Sequence, residues 1–329
     1  MNIFILGKWG GTARWAEDCV EDLRFAGHTV HTFSTRNPKI SRSLERLLLS
    51  PALGAPLSVR LIRRMRRLKP DLILGIGAYD DVSEIIFRRL SSLPDRPPLV
   101  AWIGDVFTAT RADIANSFDL VAYTDTGFVD LHDRLGFSSR RAFIPLAANR
   151  ARLTRGVGVT ERIPRLAFVA APTQNRRELL GRLDEPIDVY GPGWGNDTEL
   201  SPHTLEPRLV GGDELGRIYS TRIGVLNIRN DDNVINGMNQ RHFAPYLYGT
   251  PVISDHQRDI SGHLEPGVEI LLYDNAERLT AICRKVRRDP QWALSIGDAG
   301  RRRVLAHHAY AHRLEAIGRL LGLPGAATS

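Results

Sequence analysis

The sequence predicts an α/β protein of two doubly wound domains, each a parallel sheet covered by helices on both faces. Three observations carry that expectation. Short apolar strands alternate with helix-period segments along nearly all 329 residues, the pattern of strand–helix–strand crossovers. Several strands run straight into glycine-bearing loops, as at Gly10-Gly11, Gly104-Asp105 and Gly191–Gly195. Residues 149–164 are basic, contain glycine and lack periodicity, so they split the alternation into two series. At 43% hydrophobic content the chain can fill two cores.

The first series occupies residues 1–150. Residues 2–7, NIFILG, read as an opening strand, and Gly10-Gly11 leads into a helix over Thr12–Ala26 that places Ala16, Cys19, Val20 and Leu23 on one face and stops at Gly27. A strand, a glycine loop and a helix in this order open a doubly wound domain, whose ligands sit beyond the strand C-termini. His28–Phe33 is the second strand. Ser41–Leu49 and Pro56–Leu68 follow as amphipathic helices with leucine stripes and arginines elsewhere. Asp71–Gly75, Leu99–Ile103, Phe118–Tyr123 and Ala142–Leu146 are further strands, with Val82–Leu90 and Thr126–Leu135 as helices.

The boundary is placed at 151–164, and the second series fills 165–329. Its strands are Leu166–Ala170, Ile187–Tyr190, Ile223–Ile228, Val252–Ile253 and Ile270–Tyr273; its helices are Asn175–Leu183, Leu215–Ser220 and Ala276–Arg288. A closing helical stretch from Gln291 to Leu320 is expected to be kinked or broken, and it is a candidate to pack back on the first domain.

Composition narrows the functional class. Net charge is +7, but the ten Lys/Arg against the single Glu45 between Arg36 and Lys69 give that segment a charge of +9. A surface of this kind, with Arg60, Arg63, Arg64 and Arg67 on one helix, suits anionic lipid, nucleic acid or an acidic polymer; a solvated helix face is the plainer alternative. Basic or polar residues interrupt every apolar run short of the ~20 needed to span a bilayer. The N-terminus reads as a strand rather than a signal peptide, so a cytoplasmic location is expected, with peripheral docking at the inner membrane face. Cys19 and Cys283 lie far apart and read as buried thiols.

The most informative stretch is Asn236–Asp255, NGMNQRHFAPYLYGTPVISD. It reads as a loop holding Gly237 and Asn239, a short helix carrying Arg241, and a Gly249-Thr250-Pro251 turn feeding an apolar strand. Unpaired N–H groups at a helix start, a nearby glycine and a charge-assisted fork from Arg241 would suit a phosphate. The local residues alone also fit a helix with a basic cap.

The order of segments around this stretch resembles the glycosyltransferase group 1 superfamily, in its bacterial spore-maturation glycosyltransferase-like branch. The residues that carry the resemblance are Arg241, Phe243, Gly249-Thr250-Pro251, Asp255, Glu265-Pro266-Gly267, Glu269, Tyr273, Ala299-Gly300, Arg303-Val304, His308, Tyr310 and His312-Arg313. Lys69–Leu74, Trp102–Asp105, Phe118–Asp125 and Ile144–Ala148 match it in the first half. One position departs: where the family has a glutamate that grips the donor ribose, this chain has Ala244.

The resemblance implies the GT-B fold, two Rossmann-like domains facing a central cleft, with the nucleotide-sugar donor in the C-terminal domain and the acceptor in the N-terminal one. Donor candidates are then Asn175, Arg177, Tyr190, Gly191, Trp194, Asn227, Gly237, Asn239, Arg241 and Thr250, with Tyr190 or Trp194 to stack on the base. Gly10 and Gly11 fall on the acceptor side. Asp105, at a strand end there, is the candidate base for the acceptor hydroxyl, or else a loop or helix cap. Arg241 would stabilise the leaving diphosphate. Asp231 and Asp232 are adjacent rather than spaced as a metal clamp, so no metal and no further cofactor are expected, only a UDP- or GDP-linked sugar as donor substrate. His308 and His312 lack a third ligand and are read as packed in a helix. The expected acceptor is a lipid-linked or cell-surface glycan. Two alternatives stay open: a glycosyltransferase acting on nucleic acid, and a non-catalytic sugar- or nucleotide-binding protein, the latter motivated by Ala244.

Overall fold

In the computed structural model, residues 1–7, 9, 14–34, 51–78, 84–155, 161–195 and 200–324 are described. They divide into two compact units, Met1–Pro145 with Tyr310–Ser329, and Leu146–Ala309. The division therefore falls at 145/146 rather than at a 151–164 linker, and residues 150–155 form a 3-10 turn inside the second unit.

The first unit holds a six-stranded, wholly parallel sheet in the order β2-β1-β3-β4-β5-β6. These strands are β1 (Asn2–Gly7), β2 (Thr29–Ser34), β3 (Leu72–Ile76), β4 (Leu99–Ile103), β5 (Leu120–Tyr123) and β6 (Arg141–Phe143). Three of them, β3, β4 and β5, are buried at every position, which is why their sequences are continuous apolar runs rather than alternating ones. Helix Trp15–Phe25 buries Ala16, Cys19, Val20 and Leu23 as the periodicity requires. Helix Pro51–Leu68 buries Leu61 and Met65 and leaves Arg60, Arg63, Arg64 and Arg67 exposed; residues 36–50, including the expected helix over Ser41–Leu49, lie outside the described residues.

The closing stretch is broken, into helices Pro290–His307 and Tyr310–Leu321. At the break, Ala148 N–H donates to the carbonyl of His308 (2.8 Å) and Ala148 bridges Ala309, which removes two residues from the helical ladder. Beyond it the last helix belongs to the first unit. Ala311 N–H donates to the buried Asp22 carboxylate (3.0 Å), and Arg313 Nε donates to Pro145 O (2.9 Å).

The second unit repeats the architecture with a different strand order. Its strands are β7 (Ile163–Val169), β8 (Ile187–Tyr190), β9 (Thr204–Glu206), β10 (Arg222–Asn227), β11 (Val252–Asp255) and β12 (Leu271–Tyr273). All six are parallel, in the order β12-β11-β10-β7-β8-β9. Read from β9, this is third, second, first, fourth, fifth, sixth, so the chain reverses direction across the sheet between β7 and β10. The short edge strand β9 has no periodic signal in the sequence. Its pairing to β8 alone defines it.

Candidate functional site

A reversal of strand order opens a crevice at the strand C-termini, and open α/β sheets bind ligands there. In the second unit that point lies at Val169, the end of β7, and Asn227, the end of β10. Arg241 spans the two. Its Nε donates to Asn227 Oδ1 (2.8 Å) and its Nη1 approaches the Val169 carbonyl (3.5 Å). No carboxylate lies within ion-pair distance of its guanidinium among the described residues, and Nη2 makes no hydrogen bond there. Burial lowers the Arg241 pKa, and Tyr219 and the more distant Asp255 carboxylate offset this only in part.

A closed hydrogen-bond network holds this cation in place. Asn227 is fully buried; its Oδ1 also accepts from Asn239 Nδ2 (3.0 Å), and its Nδ2 donates to Ser254 Oγ (3.1 Å). Asn239 N–H donates to His242 Nδ1 (3.1 Å), so the neutral ring carries its proton on Nε2 and donates it to Ser254 Oγ (3.0 Å). Ser254 thus accepts two bonds and directs its own hydrogen to Asp255 Oδ1 (3.4 Å). Burial, helped by the neighbouring Arg241 charge, pushes the His242 pKa down to about 3. A neutral imidazole leaves Arg241 as the charge of the network.

That shift has a measurable consequence. The folded pKa lies below the ordinary 6.5, so the unfolded chain takes up the proton first and stability falls as pH drops from about 6.5 toward about 3. The expected slope is up to about 1.4 kcal/mol per pH unit. Urea midpoints at neutral and mildly acidic pH should separate more in the natural protein than in His242→Gln; equal pH slopes would remove His242 as their cause.

The structure brings together Asn227, Asn239 and Arg241, with Gly237 buried in the loop just before them. It also revises several expectations. The segment carrying Arg241 is not a helix but two 3-10 turns, Gln240–His242 and Ala244–Tyr248, because Pro245 and the cap at Asn239 interrupt any longer ladder. Asn239 Oδ1 accepts the Arg241 N–H (2.9 Å), so that amide is already satisfied and the side chain, not a helix start, is the anion-binding feature. Trp194 is fully buried against Phe168, and its indole N–H donates to Ala170 O (2.6 Å), which leaves no ring face for a base. Tyr190 is likewise core; its hydroxyl accepts from Arg222 Nη2 (3.0 Å). Thr250 is buried, donating to Tyr219 O (2.5 Å) and accepting from Arg162 Nη1 (2.8 Å).

The remaining candidates are placed at the rim or elsewhere. Asn175 Nδ2 donates to Arg229 O (3.1 Å), and half-buried Arg177 lies 5.2 Å from the Trp194 ring centroid while donating to Gly193 O (3.1 Å). Gly191 is where a side chain would collide, its added Cβ standing 2.2 Å from Ala170 O, so the close approach of β7 and β8 ends requires glycine. Asp105 is exposed, two residues beyond the end of β4 in the first unit. Gly10 and Gly11 lie outside the described residues.

Three arginines escape sequence reasoning. Arg176 is buried and donates to Ile228 O (3.2 and 3.0 Å) and Ala171 O (2.8 Å), with burial and Arg241 lowering its pKa to about 10. It fastens the loops after β7 and β10 and adds a second charge at the crevice. Arg229, beside Asp231 (2.6 Å) and Asp255 (3.5 Å), stands at the end of β10. Burial raises the Asp255 pKa even so. Arg162, inside the stretch read as a linker, clamps the Gly249-Thr250 turn through Tyr248 O (2.7 Å) and Thr250 Oγ1 (2.8 Å). Nothing local in their sequence marks them, since the contacts that fix them at the crevice reach far along the chain, Arg176 to Ile228, Arg162 to Tyr248 and Arg229 to Asp255. Among the described residues no three His, Cys, Asp or Glu side chains gather as a metal site; His308 Nε2 instead bonds His263 O (3.1 Å).

Residues 171–319, which include Asn227 and Arg241 and begin just after Val169, match the family described as glycosyl transferase-like. The fold is that of solved GT-B proteins over the whole chain. Sucrose-phosphate synthase from Thermosynechococcus elongatus superposes with a TM-score of 0.64 at 14% identity, covering 98% of each chain. HepE from Anabaena, in complex with UDP-glucose, gives 0.65 at 15% identity over 98% of this chain and 99% of that one. A UDP-forming α,α-trehalose-phosphate synthase from Burkholderia xenovorans gives 0.62 at 12%, covering all of both. The family match and the fold together make residues 171–319 similar to glycosyl transferase-like proteins and the whole chain similar in fold to GT-B proteins. No curated protein sequence matches the chain. The matched region takes in β8 to β12, and Asn227 and Arg241 lie within it.

Proposed function

We propose that this protein is a glycosyltransferase that moves a sugar from a nucleotide diphosphate-sugar, UDP- or GDP-linked, to a lipid-linked or cell-surface glycan, without a metal ion. The observation that carries the donor half is Arg241, a desolvated cation without a carboxylate partner, fixed at the switch point of the second sheet by Asn227. Such a cation is preorganised for the charge that develops on a departing diphosphate, and fixing it beforehand removes reorganisation from the reaction. Arg176 and Arg229 strengthen the field at the same crevice. HepE, a structural neighbour, is solved with UDP and with UDP-glucose, which supports a uridine donor.

Ala244 sits on the second 3-10 turn and offers no acceptor for ribose hydroxyls. Leaving such a bond unmade weakens binding by about 1–3 kcal/mol, a loss an enzyme tolerates. Asp105 is the proposed base on the acceptor side, for an inverting reaction. The exposed Arg60, Arg63, Arg64 and Arg67 are proposed to meet an anionic membrane surface, where each basic residue contributes about 1 kcal/mol.

The test is a calorimetric screen of UDP, GDP, ADP and TDP and their sugars, followed by transfer assays with the donor that binds. Asn227→Asp sharpens it. A carboxylate in place of Oδ1 would pair with Arg241 Nε and neutralise it, and nucleotide affinity is expected to fall at least about tenfold with little change in stability. Unchanged affinity in Asn227→Asp, or no nucleotide bound by the natural protein, sinks the assignment.

A further inference from the structure

Helix Ala276–Arg288 carries five basic residues, and among the described residues two of them are paired with carboxylates and three are not. Arg284 pairs with Asp184 and Glu185, and Arg287 with Glu185 (2.5 Å), so the cavity of about 670 Å³ that these arginines line is largely neutralised. On the neighbouring face Arg278, Lys285 and Arg288 line an adjoining cavity of about 610 Å³ together with Leu271, Ile282 and Trp292; Arg288 and Ala281 border both cavities, and among the described residues no carboxylate lines this one. Their spacing of seven and three residues stacks the three cations along one side of the helix. None of the three makes an ion pair among the described residues. Lys285 Nζ instead rests 3.6 Å from the centroid of the Trp292 ring.

Arg278 stands where a helix does not favour a cation. It lies in the first turn, its N–H capped by Asn275 Oδ1 (2.8 Å), at the positive end of the helix dipole. Dipole and side chains therefore add to one positive field over a concave, half-apolar surface of the size that holds small ligands, ~300–1,000 Å³. None of the switch-point residues lines it.

We propose that this cavity binds a phosphate-bearing anion with an apolar or aromatic body, at a site independent of Arg241. The guanidinium forks of Arg278 and Arg288 hold the phosphate. Lys285 swings from the ring to the anion, and Trp292, Leu271 and Ile282 receive the body. The same chemistry is offered by a free organophosphate and by a phosphomonoester lipid headgroup, and exposed Val268, next to Gly267 on the cavity wall, could touch acyl chains.

The experiment uses the full chain carrying Arg241→Ala, so that the donor site contributes nothing and its own failure stays separate. Phenyl phosphate and tripolyphosphate are titrated by calorimetry and by tryptophan fluorescence, beside phosphatidylcholine vesicles with and without phosphatidic acid. Binding to one site is expected, weakened at least about tenfold by Arg278→Ala or Arg288→Ala and unaffected by Arg284→Ala with Arg287→Ala. The fluorescence change should vanish in Trp292→Phe. Response to phosphatidic acid alone identifies a lipid headgroup, and response to the free anions identifies a soluble organophosphate. Absence of binding in every arm, or equal weakening by the Arg284/Arg287 pair, overturns the site and leaves only diffuse surface charge.

Discussion

Arg241→Ala is expected to lower nucleotide diphosphate affinity by at least about thirtyfold while leaving the protein as stable as before, or slightly more so. The two expectations come from one fact. In the folded protein the half-buried guanidinium has lost much of its water, has gained Asn227 Oδ1 and a long contact to Val169 O, and has no carboxylate within ion-pair distance among the described residues, Asp255 offsetting the cost only from farther off. Removing such a charge relieves the fold. Removing it from a bound diphosphate breaks a charge-assisted contact in a desolvated place, which costs about 2–5 kcal/mol. Calorimetry with UDP and its sugars reads the first effect and thermal unfolding without ligand reads the second. Arg241→Lys should recover part of the affinity, since the charge remains but the fork is gone. Wild-type affinity in Arg241→Ala would end the donor-site assignment, and a large drop in Tm would mean that the arginine is structural.

The second large effect is expected from a glycine outside the crevice. Gly297 lies in helix Pro290–His307 against the Gly249-Thr250-Pro251 turn, and a Cβ there would stand 2.2 Å from Gly249 O and 2.9 Å from Gly249 C and Pro251 N. All three are backbone atoms. The turn cannot retreat, because Gly249 holds a left-handed conformation (φ +66°) and Arg162 clamps Tyr248 O and Thr250 Oγ1 from the other side. Gly297→Ala must therefore drive the helix off the turn, and the destabilisation should reach at least about 3 kcal/mol, the upper end for overpacking. For a unit of this size that lowers Tm by about 6–12 °C. Gly262→Ala is the control, since nothing lies within 4 Å of its added Cβ. Because the same turn feeds β11, which carries Ser254, nucleotide binding should weaken along with stability. A Tm within a degree or two of wild type would mean that the helix can shift cheaply.

Much of this was readable in the chain. Strands buried on both faces are apolar over their inner residues, so β1, β3, β4 and the central parts of β7 and β10 stand out as runs, and helix Ala276–Arg288 appears at its true limits from periodicity. Arg241 was legible because it lies in a short, distinctive stretch with Asn239 and the Gly-Thr-Pro turn. Other site residues misled. Tyr190 and Trp194 look like ring platforms in a loop sequence, yet the fold uses them as core, because an aromatic at a strand end packs inward whenever its polar atom finds a partner there, as with Arg222 and Ala170 O.

What the sequence by itself determined is therefore the class of the fold, the near-limits of most of its elements and the cation at its centre, since these follow from period, composition and local caps. Only the tertiary structure decided the strand order that makes Val169 and Asn227 neighbours, the unpaired state of Arg241, and the roles of Arg162 and Arg176. Each of those depends on partners 50 or more residues away: Arg176 and Ile228 are 52 apart, Arg162 and Tyr248 are 86 apart. Local pattern is blind to such pairings, because backbone propensity acts over a few residues whereas desolvation and hydrogen-bond satisfaction are settled by whatever the folded chain brings alongside.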